Sequence, residues 1–333
     1  MSMTSSDEDP STTDSSTTTS TTTSTTTSST TTTTIEAPPE LLCGVGSNDP
    51  GIDVPTNWDV GEQRNIEVLL ERTDPRPGRS GGSSTPFTLT VLEANEQGTT
   101  FEWLAGETDL STLGIPDTAA FDGILDRFPR ERIVYEVDSF GVFGAVQNIE
   151  EIRDNTIASL DLLLEIDPSG EETFAQVRAL FTSMDPQALT TMFAERPMIF
   201  HAFDGILLAE GDSYSVSDML PNALGGEPFP ATSTISHEPG ADEEGCEVIV
   251  IRTTPDPAQF GKILFETIGT AFASDIDAAE ATADIGEFAA ENVVTLRFDN
   301  SANRVRQVTA TQEITVDGET RLDKTIMTDV TPQ

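Results

Sequence analysis

The sequence predicts an α+β fold: mainly antiparallel sheet, built from two similar β-rich units with a helical insert between them, behind a disordered Ser/Thr-rich tail. Three observations carry that expectation. The stretch Arg132 to Gln147, RIVYEVDSFGVFGAVQ, reads as two short strands about a turn at Asp138-Ser139-Phe140-Gly141. Val293 to Val308, VVTLRFDNSANRVRQV, echoes it, with Val294, Leu296 and Phe298 alternating before a turn at Asp299 to Asn303. Between the two, the apolar period changes from two to that of a helix.

The tail comes first. Of residues 1–34, 27 are Ser or Thr, so the tract has no apolar surface to offset the entropy of ordering it. Residues 1–40 are therefore expected to be a disordered stalk, and residues 41–57, with Pro50-Gly51 and Pro55, a loosely ordered lead-in. Thr-rich tethers of this kind resemble those that join a membrane anchor to an exported domain in actinobacterial and archaeal surface proteins. The resemblance covers only the first 40 or so residues.

Residues 58–147 form the expected first β-rich unit. Ile66, Val68 and Leu70 alternate with polar residues, as do Phe87, Leu89 and Val91, and an Asn95-Glu96-Gln97-Gly98 turn leads into Thr99 to Leu104. A helix is expected between Pro116 and Phe128, where Ala120, Phe121, Ile124 and Leu125 share one face.

The helical insert covers residues 148–204. Asn148 with Glu151 suggests a capped start, Pro168 a stop, and Ser169 with Glu172 a capping box for a second helix. A third, short helix is expected from Ala188 to Glu195, ending before Pro197. Residues 205–333 make the second β-rich unit: strands at Tyr214 and Val216, Thr232 to His237 and Glu247 to Arg252, then a helix capped by Asp256 with Pro257 and Gln259. An Ala-rich helix from about Ile276 to Ala290, the second hairpin, an Asp317-Gly318 turn and a last strand, Thr320 to Thr328, complete it.

The net charge of −41 excludes more than it identifies. Residues 1–63 hold ten acidic residues and no Lys or Arg, so −31 belongs to the remainder. Such a surface repels nucleic acid and anionic headgroups, which makes both poor partners. It fits a protein from a salty habitat, and equally an Arg-over-Lys protein (15 to 2) from a GC-rich bacterium. No run of 18 apolar residues is present, so no membrane span is expected, and no signal segment is visible at Met1. An anchor upstream of Met1 would reconcile that with the stalk.

Cys43 and Cys246 are the two cysteines. In an oxidising compartment they could pair and clip the lead-in onto the second unit. The other reading is two unrelated thiols, with Cys246 core-facing in a strand beside Val248 and Val250. Their spacing does not make a zinc site.

No catalytic motif survives its context. Gly78-Arg79-Ser80-Gly81-Gly82 matches G-x-S-x-G, but prolines precede it and Ser83-Ser84-Thr85-Pro86 follows, with neither the strand nor the helix the motif needs. His201 and His237 are the only histidines and share no metal-binding spacing. Asp299-x-Ser301-x-Asn303 starts like a calcium loop, yet Arg304 and Ala310 stand where glycine and glutamate are required. Gly44-Val45-Gly46 lacks the third glycine of a dinucleotide loop, so no cofactor is expected.

The expected function is thus an exported or surface-tethered, non-enzymatic binding or scaffold domain. Its ligand or partner is not legible in the sequence, though an apolar small molecule or another envelope protein fits the compartment. A sheet wrapped over helices can leave an apolar cavity, as in curved-sheet lipoprotein carriers, an analogy of architecture alone. The alternative is an extracellular hydrolase whose Ser, His and acid meet only in space.

Overall fold

Period-two alternation becomes sheet wherever one face can be kept dry. The computed structural model describes residues 43, 51–76, 80–107, 127–166, 168–222, 226–239, 241–271, 288–316 and 318–332. The chain divides into Met1–Glu40 and Leu41–Gln333, and every described residue belongs to the second unit. The expected stalk, the Gly44-Val45-Gly46 loop, Gly78-Arg79 and nearly all of the helices expected at 116–128 and 276–290 lie outside the described residues.

In chain order the strands and helices are β1 (Gly51–Asp53), β2 (Gln63–Thr73), β3 (Gly81–Asn95), β4 (Gly98–Ala105), β5 (Arg132–Asp138), β6 (Phe143–Val146), α1 (Ile149–Ile166), α2 (Glu171–Ser183), α3 (Pro186–Phe193) and α4 (Glu195–Phe200). They continue with β7 (Leu207–Ala209), β8 (Ser213–Leu220), β9 (Phe229–His237), β10 (Glu247–Pro255), α5 (Pro257–Ala271), β11 (Phe288–Asp299), β12 (Arg304–Val316) and β13 (Glu319–Asp329).

Eleven strands form a single antiparallel sheet in the order β6-β5-β4-β3-β2-β13-β12-β11-β10-β9-β8, and β1 pairs with β7 in a small second sheet. This corrects the expected α+β assembly of two similar β-rich units around a helical insert. The protein is dominated by one continuous sheet, because β13 and β2 share a ladder from Asp329↔Ile66 to Leu322↔Thr73. The two hairpins that suggested a repeat are not equivalent. β6 is an outer edge, whereas β11 and β12 both lie in the interior of the sheet. Their likeness is that of two turns built alike: Asp138 Oδ1 accepts the N–H groups of Phe140 and Val142, and Asp299 Oδ1 those of Ser301 and Ala302.

Local expectations fared unevenly. Asp256 caps α5 through Ala258 N–H, and Gln259 Nε2 reaches back to Asp256 Oδ2. Asn148 does stand just before α1 and its Nδ2 reaches Glu151 Oε2 at 3.2 Å, but its side chain does more. Its Oδ1 accepts from Val134 N–H and its Nδ2 donates to the Arg132 carbonyl, so it clamps the start of α1 to β5. The N-cap of α2 is Gly170 rather than Ser169. Asp185 caps α3 instead, and Pro197 lies within the first turn of α4, where its missing N–H costs nothing. Residues 288–290, expected to end a helix, begin β11 in register with Val316 to Ile314.

The dry face of the sheet carries the core. Phe101, Trp103, Ile133, Tyr135, Leu89 and Ile66 are fully buried, and α4 and the turn after it lay Phe200 and Phe203 over them. Gly141 lets the β5–β6 turn sit against that second turn. A Cβ there would lie 2.2 Å from the Asp204 carbonyl oxygen.

Candidate functional site

Three arrangements on or beside the inner face of the sheet, the face covered by α4, hold the side chains capable of chemistry. The first is a buried chain of hydrogen bonds. Tyr135 on β5 places its hydroxyl 2.9 Å from His201 Nε2, and His201 Nδ1 lies 2.6 Å from Asp204 Oδ2. A carboxylate only accepts, so the proton belongs on Nδ1, and Nε2 accepts from the tyrosine. Trp58, Phe101 and Phe200 surround the imidazole, which is 2% exposed. Burial, and then the Asp204 charge, push the Tyr135 hydroxyl well above its ordinary value of about 10. Both imidazole nitrogens are occupied and no surface reaches them. The arrangement fastens β5 to the end of α4.

A prediction follows from the sign of that shift. A phenol harder to ionise in the folded state binds its proton longer than in the unfolded chain. Stability is therefore complete below about pH 10 and falls as pH rises towards the folded value, by about 1.4 kcal/mol per pH unit. Denaturant titrations between pH 8 and 11 should show this fall, and Tyr135→Phe should flatten it. An unchanged slope in the variant would sink the assignment.

The second arrangement lies at the other end of the sheet. His237 on β9 is buried, its Nε2 is 3.0 Å from Glu247 Oε2, and its Nδ1 has no hydrogen-bond partner among the described residues. Close by, Cys43 and Cys246 form a disulfide with Cα atoms 5.1 Å apart, both residues buried. Neither histidine has a serine hydroxyl as partner among the described residues. Ser80, the serine of the G-x-S-x-G stretch, is tied to the backbone of Asp74 instead. Asp299, the first residue of the calcium-like loop, spends one carboxylate oxygen on its own turn and pairs the other with Arg306 at 3.4 Å. Among the described residues no group of three potential metal ligands is assembled.

The third arrangement is the inner face itself, which grades from apolar to polar across five or six strands, with Thr253 and Ser233 of the polar row still buried. Val68, Met327, Val308, Leu296 and Ile249 are cross-strand neighbours, each no more than 1% exposed. Two residues along, Leu70, Thr325, Ala310, Val294, Ile251 and Ile235 form a second row that is only half-buried. Beyond it runs a polar row: Arg72, Asp323, Gln312, Asn292, Thr253 and Ser233. Ser233 bonds to Thr253 at 2.8 Å and donates to Asp218 on β8.

At the far end, Arg72 Nε meets Asp323 Oδ1 at 2.6 Å and Arg321 pairs with the other oxygen. Burial raises the Asp323 carboxyl, but the bonds from Arg72 and Arg321 outweigh it and hold the group below its usual range. Burial, with the Asp323 charge adding to it, pushes the Glu195 carboxyl up against the pull of Arg196. A separate open depression of about 380 Å³ lies on β2 and β3 around Ile66 and Phe87, beside Gly106 and Val330, and touches none of these groups.

Sequence reasoning named Cys43, Cys246, His201 and His237, but neither Tyr135 nor Asp204. The i, i+3 spacing of His201 and Asp204 was the one local sign of their contact. No helix among the described residues is long and apolar enough to cross a membrane. No protein-family model matches the chain, and no curated protein matches it.

Proposed function

We propose that this chain is an extracytoplasmic, non-enzymatic binding domain whose ligand is an apolar small molecule with a polar end. One observation carries the reading: a half-buried row, Leu70 to Ile235, apolar but for Thr325, lies between a dry core row and a polar row on the same face. A face used only for packing has no reason to keep such a row part-exposed, since covering it would gain about 25 cal/mol per Å². An amphipathic molecule lying along it would bury its chain on the apolar row and leave its polar end to the row beside it. The Cys43–Cys246 disulfide supports a compartment outside the reducing cytosol, and the Ser/Thr-rich residues 1–34 support a tether.

Native mass spectrometry of the full chain, purified without denaturant from its own host, tests the reading. The expected result is a reproducible extra mass that denaturation releases. Ala310→Phe, in the middle of the half-buried row, should reduce the carried mass while the protein stays folded. A bare protein mass, together with no saturable uptake of a fluorescent fatty acid, would overturn it.

A further inference from the structure

The two ends of the large sheet are finished differently. At one end β6 has only four residues and runs directly into α1, so little free backbone is offered. At the other, β8 has eight residues in unbroken register with β9, from Ser213↔Ser236 to Leu220↔Phe229. It contains no proline, lysine or bulge, the usual devices that close an edge. Tyr214 and Val216 on its inner side remain 44% and 43% exposed.

The ladder fixes which backbone groups are free. The Asp212 carbonyl accepts from His237 N–H, which puts the even-numbered residues of β8 in the hydrogen-bonded pairs with β9. Ser213, Ser215, Ser217 and Met219 therefore point their N–H and C=O groups outward. Met219 N–H is taken by the Asp218 side chain at 2.8 Å. The three serines are left, with small side chains that obstruct nothing, and beyond β9 no strand among the described residues takes up their outward groups.

Charge says what kind of strand fits. Between Arg196 and Arg252, a span that includes β8 and its sole neighbour β9, the chain has ten acidic residues and no Lys or Arg. Glu210, Asp212 and Asp218 flank or lie within the edge itself. A second copy would bring the same acidity against it.

From these observations we infer that β8 is a docking edge for an extended, basic segment of another protein, added as a twelfth strand. Main-chain bonds to Ser213, Ser215 and Ser217 hold it, apolar residues lie beside Tyr214 and Val216, and flanking Lys or Arg meet the acidic ends. Tyr214 and Val216 extend the half-buried and polar rows by one strand, opposite Ile235 and Ser233, whereas the outward main-chain groups of Ser213, Ser215 and Ser217 play no part in the proposed ligand row.

The test uses the full chain and two synthetic peptides of alternating valine and threonine, one with lysine at both ends and one with glutamate. The lysine peptide should slow exchange of the Ser213, Ser215 and Ser217 amide hydrogens, and should bind at least about tenfold more tightly than the glutamate peptide, with the gap closing in high salt. Ser215→Pro removes an outward N–H without touching the β8–β9 ladder, so it should abolish the protection in a protein of near-normal melting temperature. Ser215→Ala loses the same hydroxyl but keeps the N–H, and should bind normally. Unslowed exchange, equal binding of the glutamate peptide, or an unaffected Ser215→Pro variant would overturn the inference. So would protection that grows with protein concentration alone, because a second copy would then occupy the edge.

Discussion

Removing the Cys43–Cys246 disulfide should destabilise the protein by about 2–5 kcal/mol, the largest single effect expected from any pair of side chains here. The bond closes a loop of 203 residues, and a constraint on so long a loop restricts the unfolded chain most. It also holds a fixed place in the folded protein. Cys43 N–H donates to the Glu244 carbonyl, Asp242 Oδ1 accepts from Glu244 and Cys246 N–H groups, and Arg297 Nε pairs with Asp242 at 2.8 Å. The turn before β10 therefore stays organised without the bond, and the loss falls on the attachment of residue 43. Urea unfolding of the oxidised protein beside Cys43→Ser/Cys246→Ser measures it. A midpoint that does not move would show that this bond contributes nothing to stability.

The second large effect is expected at His201. Replacing it by Phe keeps ring volume between Phe101 and Phe200 but strands two buried groups, the Tyr135 hydroxyl and the Asp204 carboxylate. Leaving a buried polar group without its partner costs about 1–3 kcal/mol, and more for a carboxylate, against less than about 1.5 for a volume-conserving apolar exchange. Chemical denaturation separates these outcomes. If the stranded charge is the cause, Asp204→Asn should be milder in the His201→Phe background than in the wild type, a non-additivity that a double-mutant cycle reads directly. A His201→Phe protein within about 1 kcal/mol of wild type would mean that the chain of hydrogen bonds contributes little.

What was legible in the sequence was local. Ile66, Val68 and Leu70, and likewise Phe87, Leu89 and Val91, announce strands because one face of each is dry, and the Asp256-Pro257-Gln259 start of α5 is written in three adjacent residues. What misled was also local. The likeness of Arg132–Gln147 to Val293–Val308 reflects two Asp-organised turns, and nothing within either segment records that one hairpin closes an edge while the other lies inside the sheet. Asn148 stands at the helix start and touches Glu151, as its neighbours suggest, but the backbone groups it satisfies, Val134 N–H and the Arg132 carbonyl, are 14 and 16 residues away. The inner rows were invisible for the same reason. Leu70 and Ile251 belong to one row only because the strands between them pair in a particular register.

The ladder between β2 and β13 has a consequence for how the molecule comes into being. It joins Ile66, in the first strand of the large sheet, to Asp329, in its last strand in chain order. Until β13 is available, β2 and β12 are both raw edges, and the growing chain holds two half-sheets with nothing between them. Pairing across such a separation is slow, and an open apolar strand is a hazard while it waits. The nascent chain therefore has reason to stay unfolded, or held by a chaperone, until β13 has been made, and a protein cut before Thr320 should emerge as aggregate, because the strand it lacks is the seam.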